Sequence, residues 1–248
     1  MKYIGHLDVM RYFQKALRRA QFDTTLSGGF SPHMIMSFAA PLGVGITSEG
    51  EYFDLEVASV SSSEDMKQRL NAVMADGITV RSVLQIPDDK KYGGMRLLAA
   101  ADYLVSLKQL TDSREDRGQA EEAAVAQAEE ITAGQAEDIA AVQEMIPSFL
   151  AQEEILLEKK TKKGSKVMDI RPLIYRLEPR GSAFYLFVSQ GSVNNLRPEF
   201  VIEKLFAFAG RELPEQSLKI HRLDLYAAAE GPEPDSFRSL ESYGESCS

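Results

Sequence analysis

Three histidines, His6, His33 and His221, and the carboxylates near them limit the acid–base chemistry open to this 248-residue chain. His6 and Asp8 stand two apart at the head of a helical pattern. They could act as a general acid/base pair or join a metal site, but three histidines offer few ligands and no metal is assigned. His6 could equally bond a backbone carbonyl, and Asp8 could cap the helix. His33 ends the loop Ser27-Gly28-Gly29-Phe30-Ser31-Pro32-His33. There Gly-Gly permits positive φ and close backbone approach to a ligand, and Pro32 fixes φ and removes a donor. A loop of this make-up between a helix and a strand is where a ligand is expected, with Phe30 available for stacking. The plainer alternative folds Phe30 back into the core. Glu49, Glu51 and Asp54 add carboxylates near the loop, while His221 falls in a strand and reads as structural. No phosphate loop, dinucleotide fingerprint, HExxH or serine elbow occurs and no catalytic set assembles; His6, Asp8 and His33 stand as candidates.

A second kind of chemistry is written in the cations. The net charge is −9, which argues against a general polyanion binder, yet the positive charge is clumped. Arg11, Lys15, Arg18 and Arg19 fall on the first helix. Lys159, Lys160, Lys162, Lys163, Lys166, Arg171, Arg176 and Arg180 fall in one later segment. Lysines around the Gly164-Ser165 turn make a cationic hairpin able to reach phosphate oxygens. Arg171, held extended ahead of Pro172, suits a bidentate anion contact. The alternative is a solvated hairpin with Arg171 paired to Asp169 or another carboxylate.

Composition bounds the rest. With 44% apolar and 26% charged residues the chain has an ordinary soluble composition, and no run approaches the roughly 20 apolar residues of a membrane span. The N-terminus has no apolar h-region, which argues against secretion. The single Cys247 fits a reducing cytoplasm and excludes an iron–sulfur cluster or a Cys-based zinc site within this chain.

The elements that must position these groups form an α+β pattern. A helix runs from Asp8 to about Gln21, followed by strands at Met34–Ala39 and Glu51–Val57, a helix after Ser61–Ser63, and a strand at Ile78–Ile86. That is the ferredoxin-like βαββαβ order without its first strand, so either the start lies upstream of Met1 or another element supplies that edge. Residues 91–230 repeat the plan. Strands are expected at Asp102–Leu107, Glu154–Lys160, Leu173–Leu177, Phe184–Ser189 and Leu218–Tyr226, with helices ending near Pro147 and beginning at Pro198. The expectation is two ferredoxin-like halves, 1–90 and 91–230, with an Ala/Glu-rich insertion at about 111–138 and a flexible tail at 231–248. The alternative is one mixed domain with an irregular sheet.

In order along the chain, His6-Leu7-Asp8, Arg18-Arg19-Ala20, Ser27-Gly28-Gly29-Phe30-Ser31-Pro32-His33, Pro41-Leu42-Gly43 and Ser48-Glu49-Gly50-Glu51-Tyr52-Phe53-Asp54 resemble the radical-SAM-linked domain of unknown function. Lys162-Lys163-Gly164, Asp169-Ile170-Arg171-Pro172 and Arg222-Leu223-Asp224-Leu225-Tyr226 resemble its later signatures. The resemblance implies a bacterial domain fused to, or encoded beside, a radical SAM protein. The iron–sulfur cluster and S-adenosylmethionine would then belong to that partner, with no cofactor in this chain. A more distant likeness, to the glycine-rich loops of CRISPR RNA-processing proteins with paired ferredoxin-like folds, is one of fold alone. Three functions are thus expected. The first is an accessory protein that binds tRNA or rRNA for modification by the partner, through Arg18, Arg19, Ser27, Gly28, Gly29, Phe30, His33, Lys162, Lys163, Lys166 and Arg171. The others are an RNA- or nucleotide-processing enzyme using His6, Asp8 and His33, and a protein-interaction module without nucleic acid.

Overall fold

The computed structural model describes residues 2–108, 133–161, 164–229 and 236–248. The chain is an α+β protein. Its larger sheet contains β4 (Leu98–Leu107), β7 (Ile174–Arg180), β8 (Ala183–Ser189) and β9 (Leu218–Ala228) in the order β9-β4-β8-β7, all antiparallel. Helices α4 (Ala133–Glu144) and α5 (Ile146–Leu150) lie between β4 and β7 in sequence, and α6 (Pro198–Phe208) lies between β8 and β9. That order and connectivity are those of the expected ferredoxin-like half. Pro198 opens α6, where its missing N–H costs nothing, and Val201, Ile202, Leu205 and Phe206 recur on its buried face. They join Ile139, Phe149, Phe184 and Leu186 in the main core. The hairpin β5 (Leu156–Thr161) with β6 (Gly164–Asp169) forms a separate two-stranded sheet, and Lys162 and Lys163 lie outside the described residues.

The first half is smaller. Helix α1 (His6–Arg19) begins at Gly5, so Asp8 sits in its first turn and pairs with Arg11 at 3.4 Å instead of capping. A carboxylate there still complements the helix dipole. Phe13 from α1 meets Phe38 of β1 (Met36–Phe38) and Phe53 of β3 (Phe53–Leu55) at centroid distances of 5.6 and 5.1 Å. β1 and β3 pair antiparallel, and α2 (Ser63–Asn71), capped by the Ser62 hydroxyl, adds Leu70 to the same cluster.

Two segments differ from expectation. Residues 78–86 are not a strand; they make an isolated bridge from Gln85 to Glu245, and Val80 exchanges two hydrogen bonds with the Asn71 side chain. In the 4-1-3-2 strand order the fourth strand hydrogen-bonds only to the first, and this half has no strand in that position among the described residues. The expected flexible tail is also corrected over 236–248. There β10 (Phe237–Ser239) pairs with β9, and Leu240 is buried in the main core. A few apolar residues at the right spacing, backed by backbone pairing, hold a segment whose composition alone is too polar to predict order. Finally, β2 (Thr47–Ser48) pairs in parallel with β9, so residues of the first half extend the sheet of the second.

Candidate nucleic-acid interface

The loop between α1 and β1 is a closed hairpin. Leu26 bridges Met34, and the Ser27 amide donates to the His33 carbonyl at 2.8 Å. The Ser27 hydroxyl accepts from the His33 amide at 3.1 Å and lies 2.8 Å from Nδ1 of the ring. With Oγ accepting from the amide, its own proton is available to Nδ1, and Nε2 has no partner among the described residues. Gly29 takes φ of +98°, a conformation that side chains resist, which lets the chain reverse at the tip. Phe30 beside it is fully exposed at 111%, so the alternative in which it folds into the core does not hold. An aromatic ring carried on a fixed loop, with no ring or cation contact among the described residues, is available for stacking.

The other expected residues divide. His6 packs edge-on against Phe38 at 5.6 Å, at the C-terminal end of β1, whereas His33 lies in the loop before that strand. Phe38 is five residue steps of largely extended chain from His33, a span of about 16 Å. His6, Asp8 and His33 are therefore not brought together. Arg18 and Arg19 are exposed on the last turn of α1, and Arg19 donates to the Val73 carbonyl at 3.0 Å. Lys166 is exposed on β6. Arg171 is half-buried, with Nε donating to the Leu150 carbonyl at 2.7 Å and Nη1 to the Ile174 carbonyl at 3.3 Å. Its donors close the end of α5, so it positions the chain; the expected free presentation to an anion is corrected. Asp169 does not pair with its guanidinium but accepts the backbone amides of Ile155 and Arg171.

A polar junction that the residue spacing did not reveal joins the halves. Arg222, 2% exposed, donates from Nε to Glu51 at 2.8 Å, from Nη2 to the other Glu51 oxygen, and from Nη2 to the Ala40 carbonyl at 3.2 Å. Tyr52 donates to Asp224. Between them Gly50 passes so close that an added Cβ would lie 2.6 Å from the Leu223 carbonyl, which only glycine permits. Asp102, 5% exposed on β4, accepts from the Asp224 amide at 2.8 Å and from the hydroxyls of Tyr185 at 3.1 Å and Tyr226 at 3.2 Å. Burial pushes the Asp102 carboxyl above its ordinary range. Burial, with Asp102 adding to it, pushes the Tyr185 phenol up to about 12, and the same causes raise Tyr226.

Because the folded-state pKa of Asp102 is raised, the folded chain holds its proton to higher pH than the unfolded chain does. Its ionisation therefore costs stability as pH rises from the unfolded value of about 4 through the raised one. The wild type is expected to gain stability relative to Asp102→Asn as pH falls from 7 toward about 4, read as the difference between urea midpoints. A difference constant across that range would remove Asp102 as the titrating group.

Both arms of the junction lie in stretches that carry the sequence resemblance, Ser48–Asp54 and Arg222–Tyr226, but the partners are 171 residues apart and only the fold pairs them. The legible signal was a pair of short acidic-aromatic runs, one in each half. Among the described residues no group of three or more His, Cys, Asp and Glu side chains could hold a metal ion, and no helix is long and apolar enough to cross a membrane. A shallow cavity of about 240 Å³ is lined by Phe149, Ile155, Lys204 and Phe208 among others and includes none of the three histidines. The model of a protein family described as "Uncharacterized protein conserved in bacteria (DUF2344)" matches residues 1–198. No curated protein and no solved structure matches the chain.

Proposed function

We propose that this chain, which belongs to this family of uncharacterized bacterial proteins, is a cytoplasmic RNA-binding accessory protein that presents tRNA or rRNA to a radical SAM partner. The observation that carries the RNA reading is Phe30, fully exposed on a loop fixed at its base by Ser27 and His33. Single-stranded RNA is recognised by stacking splayed bases on such rings, with hydrogen bonds from neighbouring side chains and cations on the phosphates. His33 is beside the ring in sequence, Arg18 is exposed at the end of α1, and Lys166 is exposed on the β5–β6 hairpin. Lys162 and Lys163 enter this reading from the sequence alone.

Support for the partner comes from the ordered series of motifs that resembles the radical-SAM-linked domain. The iron–sulfur cluster and S-adenosylmethionine would be the partner's. The enzyme reading is the weaker one, because it needs His6, Asp8 and His33 in one place, whereas His6 packs on Phe38 at the end of β1 and His33 bonds Ser27 in the loop before it.

The test is recovery of the tagged protein from its own host without nuclease, with sequencing of bound RNA and identification of bound proteins. A defined RNA together with a radical SAM protein is the expected result. A radical SAM protein that stays bound through high salt with no RNA would overturn the RNA reading and make the chain an interaction module.

A further inference from the structure

The larger sheet has two unlike faces. Alternation along the strands puts Ala101, Tyr103 and Val105 of β4 and Phe184, Leu186 and Val188 of β8 in the core shared with α4, α5 and α6. On the opposite face the register aligns Tyr185, Leu104 and His221 across β8, β4 and β9, and all three are only half-buried. One end of this face is closed, where Phe237 folds over Phe187 and Tyr175 at centroid distances of 5.1 and 4.9 Å. Beyond Asp102 no aromatic ring among the described residues folds over the face in this way, although on its β9 side the His221 ring meets the Thr47 hydroxyl at 2.8 Å and Glu49 at 3.3 Å.

What stands there is an aromatic ring with cations around it and Glu178 opposite it in register on β7. The Tyr185 hydroxyl is tied to Asp102, and the Arg180 guanidinium lies over the ring face, 4.6 Å from its centroid, where a stacking base would displace it. Lys219 is exposed in the next row of the sheet, which pairs Ser106 with it. Arg176 is exposed on the edge strand, 3.6 Å from Glu178, while Arg180 and Lys219 have no ion-pair partner among the described residues. A solvated sheet face is ordinarily polar throughout. Here a half-exposed tyrosine on a central strand is held in one orientation, so ordering it on a ligand costs little entropy. One RNA-binding module, itself a four-stranded sheet, stacks bases on aromatic side chains of that sheet, a likeness of architecture alone, and Arg beside a ring adds a cation for the backbone.

We propose that the open end of this sheet face is a second contact for single-stranded RNA, in which a base takes the place of the Arg180 guanidinium on the Tyr185 ring and Arg180, so released, meets phosphate together with Lys219. The inference rests on the RNA-binding reading above and adds a surface that the loop at Phe30 does not share.

The experiment is anisotropy with a labelled oligouridine RNA, using the full chain, the double variant Arg180→Glu/Lys219→Glu and, separately, Phe30→Ala, with a melting temperature for each. The substituted side chains are exposed, so all variants are expected to fold. The double variant should bind about tenfold or more weakly, with a salt slope smaller by about 2, and ultraviolet crosslinks of the wild type should map to Tyr185. If the double variant binds like the wild type while Phe30→Ala loses affinity, the sheet face is no contact and the loop reading survives. If the double variant loses affinity and Phe30→Ala does not, the sheet face stands and the loop reading falls. A wild type without affinity at low salt overturns both.

Discussion

Arg222→Ala is expected to lower the melting temperature of the chain by about 6–20 °C, the equivalent of about 3–5 kcal/mol for breaking a buried pair. Arg222 is 2% exposed and its guanidinium is fully engaged by both Glu51 oxygens and the Ala40 carbonyl. Truncation leaves a cavity and a carboxylate without its counter-charge. The Glu51 side chain keeps 28% of its exposure, so water can reach it and the loss should fall in the lower part of that range. The effect belongs to the pair. In a double-mutant cycle Arg222→Ala and Glu51→Ala together should cost clearly less than the sum of the two. Thermal unfolding followed by circular dichroism checks both statements. A drop of under about 2 °C for Arg222→Ala would show that the junction does not hold the halves together.

Phe30→Ala is expected to do the reverse, leaving stability alone and removing affinity. The ring is fully exposed, so its loss should change stability by no more than about 0.5 kcal/mol. Stacking of one base on an aromatic ring contributes about 1–3 kcal/mol, so binding of single-stranded RNA should weaken by about 5- to 150-fold. Phe30→Tyr keeps the ring and should retain most of the affinity. An affinity unchanged in Phe30→Ala, with melting temperature also unchanged, would leave the ring without the proposed role.

These two residues also mark what a single sequence discloses. Phe30 was legible because Gly28-Gly29 and Pro32 are local instructions: they dictate a turn whatever the rest of the chain does, and a ring at its tip has nowhere apolar to go. Helix α6 was legible for a similar reason, since Pro198 and the spacing of Val201, Ile202, Leu205 and Phe206 specify a start and a buried face. Arg222 was not, because its worth depends on Glu51, 171 positions away, and on a glycine at 50 thin enough to let the strands meet. Arg171 read as a free cation, and only the packing of α5 reveals the carbonyls that occupy it. Residues 78–86 carry a strand-like pattern that finds only the single Gln85–Glu245 bridge, for pairing is a property of the neighbour. Tyr185 and Arg180 looked like parts of separate runs until the register of β7 on β8 brought them to one face.

The most direct test of RNA binding is the affinity of the full chain for a short single-stranded RNA measured from about 50 to 200 mM salt, with Phe30→Ala in parallel. Binding whose logarithm falls linearly with the logarithm of salt, with a slope of about −2 to −4, and which drops at least about fivefold in Phe30→Ala is the predicted result. No affinity at the lowest salt, or binding indifferent both to salt and to Phe30, would contradict it.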